Sequence, residues 1–83
     1  ETGSKSIMFG GSAVYAYTIP FDRQFTSPPV VVASMGTATG GTAQIDVKAY
    51  NITAKDFGLA FITNDGSKPN GVPAVANWIA VGV

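Results

Sequence analysis

Histidine and cysteine are both absent from this chain. With them go the commonest general base, the commonest metal ligand and the only thiol nucleophile. Charge is sparse as well: five acids and five bases, 12% of 83 residues, against about 25% in an average globular protein. The five bases (Lys5, Arg23, Lys48, Lys55 and Lys68) are dispersed and net charge is zero. That excludes the basic footprint of a nucleic-acid binder or of a protein held on an anionic membrane. Apolar runs such as Val30–Ala33 fall far short of a membrane span. Disulfides are impossible, and a structural metal has neither His nor Cys to hold it. No cofactor and no metal are expected.

A chain of this length makes one domain and buries only roughly 60–65% of the surface its unfolded form exposes. Oligomerisation is the remaining way to supplement so small a core. The apolar fraction of 46% predicts that some of the surface meets a copy of itself. No signal peptide is visible, and Glu1-Thr2-Gly3 reads as a vector-derived remnant ahead of a domain spanning residues 4–83.

What the chain does have is period-2 patterning, with no 3.6-residue stripe. Six strands are expected. Lys5–Phe9 ends at the Gly10-Gly11-Ser12 turn. Ala13–Phe21 sets Tyr15, Tyr17, Ile19 and Phe21 on one face and Val14, Ala16 and Thr18 on the other, with Pro20 marking an edge or a strand end. Pro28-Pro29 leads into Val30–Met35, whose β-branched run suits a strand covered on both faces. Gly36–Thr42 reads as a polar loop. Ala43–Ile52 points Ile45, Val47 and Ala49 inward and Gln44, Asp46 and Lys48 outward. After the 51–56 turn, Phe57–Thr63 brings Phe57, Leu59 and Phe61 to the core. Asn64–Val72 reads as the longest exposed loop, and Ala76–Val83 closes the sheet. The class is all-β, an antiparallel sandwich or small barrel.

Chemistry-bearing motifs are few. A Ser or Thr nucleophile needs a base within hydrogen-bond reach, and no Ser-x-x-Lys pattern occurs. Nothing in the spacing of Asp22, Asp46, Asp56 and Asp65 selects a carboxylate pair. An enzyme is not expected. Asn51-Ile52-Thr53 fits the N-glycosylation acceptor pattern, and the same residues suit the backbone hydrogen bonds of a hairpin turn. Trp78, the only tryptophan, alternates with small residues and reads as core or subunit packing ahead of ring stacking. Asn64 and Asp65 are the better candidates for a ligand, because amides and carboxylates at a strand end satisfy several sugar hydroxyls at once. Lys48 and Asp46, outward on the neighbouring strand, are their candidate companions, with Tyr50 beside them.

Several of these residues also form a familiar series: Phe21, Phe25-x-x-Pro28-Pro29-Val30-Val31-Val32, Ile45-x-Val47-x-x-Tyr50-x-Ile52-Thr53, Phe57 and Asn77-Trp78-Ile79-Ala80. The series resembles the H-type lectin domain of snail agglutinins and discoidin-like lectins, also found at phage tail-fibre tips. The similarity runs from about Ile19 to the C-terminus. It implies a six-stranded antiparallel β-sandwich assembling as a homotrimer, or as a hexamer, that binds galactose- or N-acetylgalactosamine-type glycans outside the cell or on a virion surface. Animal members are expected to use an arginine where Lys48 stands here, a Trp-His pair where Asn64-Asp65 stands, and an aspartate absent near Gly10-Gly11-Ser12. A lysine lacks the planar fork of an arginine, so the resemblance implies altered sugar contacts. It leaves two functions in view: a lectin module for cell adhesion or receptor binding, and a trimerisation tip of a fibre without a sugar site.

Overall fold

Two-residue alternation governs most strands of the computed structural model, which describes residues 1–38, 45–63, 66, 68 and 70–83. The strands are β1 (Thr2–Gly10), β2 (Val14–Pro20), β3 (Val30–Ala38), β4 (Ile45–Tyr50), β5 (Asp56–Thr63) and β6 (Asn70–Val81). They form two three-stranded sheets, ordered β1-β6-β3 and β2-β5-β4. Every pairing is antiparallel. Among the described residues no helix is long and apolar enough to cross a membrane.

The sheets meet through complementary sizes. The inner face of β6 is Ala74, Ala76, Trp78 and Ala80, and that of β5 is Phe57, Leu59 and Phe61, all buried. Small residues on one central strand opposite large ones on the other let the layers interdigitate. Trp78 therefore packs in the core, where Phe57 lies 5.0 Å from it edge-on and Phe21 6.0 Å away. Edge-to-face rings at such spacings add about 0.5–1.5 kcal/mol per pair beyond area burial. Trp78 also covers Gly3, on β1, and its Nε1 has no hydrogen-bond partner among the described residues.

Local features explain the connections. Gly11 takes φ +93° between β1 and β2, a conformation open to glycine. The β2–β3 connection is tied to the β4–β5 turn by Phe21 N–H donating to Lys55 O (2.9 Å) and Phe25 N–H to Ala54 O (2.8 Å). Lys5 faces inward from the edge strand β1, with Nζ 4.7 Å above the Tyr17 ring. An inward charge on an edge strand opposes strand-to-strand aggregation, and the aromatic face stabilises the cation.

The alternation expected for β2 and β4 is present, and Phe57, Leu59 and Phe61 lie in the core as expected, in a β5 buried on both faces over most of its length. Three expectations need correction. β6 begins at Asn70 and has 12 residues, so the 64–72 loop is shorter than read. Pro73 is tolerated in this central strand because the described β3 ladder ends at Ala74, leaving Pro73 paired with Met8 alone. β3 runs on to Ala38 through an irregularity between Met35 and Thr37, so Gly36–Thr42 is not all loop. Finally, β3 is covered on one face only: Val30 and Val32 are open to solvent.

Candidate functional site

Alternation along β4 sends Ile45, Val47 and Ala49 to the core and leaves Asp46, Lys48 and Tyr50 in an outward row. Successive members of such a row stand about 6.6–6.8 Å apart. Their partners on β5 are Ile62, Ala60 and Gly58 respectively. Tyr50 lies across Gly58, where any Cβ would collide with the ring carbons. A cross-strand aromatic shielding a glycine holds that ring in one position at the end of the row.

Beyond Tyr50 the β4–β5 turn forms an open groove of about 490 Å³, lined in part by Thr18, Tyr50, Asn51, Thr53, Asp56 and Gly58. Thr53 organises it. Its Oγ1 donates to Asp56 Oδ1 (2.8 Å) and accepts from the N–H groups of Lys55 and Asp56 (3.1 Å each). Asn51 is exposed at φ +48°, a left-handed conformation that asparagine tolerates. Hydroxyl, amide, carboxylate and one aromatic ring suit a neutral, hydroxyl-rich ligand. Among the described residues no group of three or more Asp and Glu residues is placed to hold a metal ion.

Of the residues singled out from sequence, the structure brings Asp46, Lys48 and Tyr50 onto one face, with Asn51 next along the chain. Asn64 and Asp65 lie outside the described residues. Thr18, Asp56 and Gly58 join the groove without having been singled out for it. The five-residue turn between Tyr50 and Asp56 was the available signal, since it sets Tyr50 opposite Gly58 in the hairpin register.

The model of the H-type lectin domain family matches residues 16–81, which include both central strands, β4 and the groove. The chain belongs to the H-type lectin family. Membership points to carbohydrate binding and agrees with the two-sheet, six-stranded architecture. Among solved structures, this lectin domain is similar to the Pseudomonas phage phi297 tailspike gp61, with a TM-score of 0.79 and 21% identity. The match covers 96% of this chain and 14% of the tailspike chain, so it concerns the fold of one small part of a longer protein. No curated protein matches the lectin domain in sequence.

Proposed function

We propose that the chain is a non-enzymatic glycan-binding module that acts as a homotrimer on a virion or other extracellular surface. Family membership supports this reading, and the observation that carries it to particular residues is the outward row Asp46, Lys48 and Tyr50 on β4. Lys48 donates to sugar hydroxyls, joined by Asn64 and Asp65, with Asp46 and Tyr50 alongside. A shallow site of this kind binds on the order of millimolar, and three linked copies raise avidity at a multivalent surface. Asn51 is a glycosylation site wherever the chain passes through a secretory pathway that reads its acceptor pattern.

The likeness to a phage tailspike favours a second reading, a structural or receptor-binding tip of a fibre without a sugar site. Glycan-array binding by the intact oligomer separates the two. Signal on galactose-type glycans supports the lectin, and silence on every glycan supports the tip.

A further inference from the structure

Gly58 is the middle member of a row that crosses all three strands of the β2-β5-β4 sheet. Thr18 on β2 and Tyr50 on β4 both pair with it. The ring atoms lying over Gly58 are Cζ, Cε1 and Cε2, so the phenol end of Tyr50 reaches across the middle strand towards β2. Asp56 stands two residues before Gly58 on the same face, about 6.6–6.8 Å along β5. With Asn51 these residues line the groove of about 490 Å³, a volume within the range of small-ligand sites.

The hairpin turn does not use all of these polar groups. Asn51 and Thr53 both suit the backbone hydrogen bonds of such a turn, and it is the Thr53 side chain that makes them. Among the described residues the Asn51 amide, the hydroxyls of Thr18 and Tyr50, and Asp56 Oδ2 have no hydrogen-bond partner. Singly, each is an ordinary hydrated surface group. Together they come from β2, β4, the turn and β5, and all four line one groove.

We propose that this groove is a second glycan subsite, taking one neutral pyranose unit; the inference rests on the glycan-binding reading above for its ligand class. The Asn51 amide donates and accepts, Asp56 accepts, and the two hydroxyls do either. A pyranose offers the complementary hydroxyls, and its C–H face suits the Tyr50 ring. The charged residue lining the groove is Asp56, so a sugar bearing a carboxylate meets repulsion there. The subsite is separate from the one assigned to Lys48, Asn64 and Asp65. Asp56 and Thr63 are the two ends of β5, about 23 Å apart, farther than one sugar ring spans. Asn64 and Asp65 follow Thr63 in sequence.

The test is a proton–nitrogen NMR titration of the unglycosylated 83-residue chain. The probes are the methyl α-pyranosides of galactose, glucose and mannose, with galacturonate as the charged comparison. The expected result is shifts of the Asn51 side-chain amide and the Gly58 N–H with at least one methyl glycoside, at a dissociation constant on the order of millimolar. Galacturonate is expected to bind at least about tenfold more weakly. Asn51→Gly removes the amide and keeps the positive φ accessible; it should raise the constant at least about tenfold with near-UV circular dichroism unchanged. Lys48→Ala should leave it within about twofold. If Asn51→Gly fails to fold, Thr18→Ala, outside the turn, decides, with an expected rise of at least about threefold. Shifts confined to the Lys48 row, or an unchanged constant for the deciding variant, overturn the groove and leave the glycan-binding reading standing. An equal loss in Lys48→Ala overturns its separateness, and equal affinity for galacturonate overturns the neutral ligand class. Silence with all three methyl glycosides overturns the groove, while the glycan array judges the wider reading separately.

Discussion

Gly3 on β1 and Trp78 on β6 are cross-strand partners, and the indole fills the space a side chain at Gly3 would occupy. A Cβ there would stand 2.6 Å from Cε2 and 2.9 Å from Nε1. Gly3→Ala therefore forces the indole off Phe57 and Phe21. Overpacking of this kind lowers stability by about 1–3 kcal/mol, and Trp78→Ala lowers it by about 3–5 kcal/mol. Urea unfolding followed by tryptophan fluorescence checks the first variant, and circular dichroism the second.

Gly58 and Tyr50 repeat the relationship on the other sheet. Gly58→Ala collides with the Tyr50 ring and turns it away from the outward row. We expect a loss of about 1–3 kcal/mol together with altered tyrosine signals in near-UV circular dichroism. An unchanged melt and spectrum would show that the ring is not held by this contact.

Thr53 supplies the hydroxyl on which the β4–β5 turn depends. Thr53→Ala leaves two backbone N–H groups without this acceptor and is expected to lower stability by about 1–2 kcal/mol, in the range of a lost cap. Thr53→Ser keeps the oxygen and should recover most of that loss. Equal destabilisation by both variants would assign the effect to the methyl group.

How much of this was legible in sequence differs between the sheets. β2, β4 and β5 alternate cleanly between apolar and polar or small residues, so their faces follow from period-2 counting. β6 was misjudged at its start because Asn70-Gly71-Val72-Pro73 has the composition of a turn, and a proline sits in this strand where the described β3 ladder has ended at Ala74. The β-branched run of β3 correctly indicated a strand, but its outer face is open in the single chain. On the candidate site, alternation was enough to gather Asp46 and Lys48. The cover of Gly58 by Tyr50 depends on register, which composition does not encode.

If oligomerisation contributes to folding, mass action makes stability depend on concentration. The melting temperature is expected to rise as the protein is concentrated from micromolar to hundreds of micromolar. A melting temperature independent of concentration would count against that contribution.

The central claim is that an H-type lectin surface formed by the outward row of β4 and by Asn64 and Asp65 recognises glycans. The most direct test takes the best array glycan and compares titrations of the parent oligomer with those of Lys48→Ala and the Asn64→Ala/Asp65→Ala double variant. Lys48 is exposed on the outward row of β4, where such a change alters stability by within about 0.5 kcal/mol. The account predicts at least a tenfold loss of affinity for Lys48→Ala, abolished binding for the double variant, and intact near-UV spectra and mass for both. Undiminished glycan binding by both folded variants would contradict it.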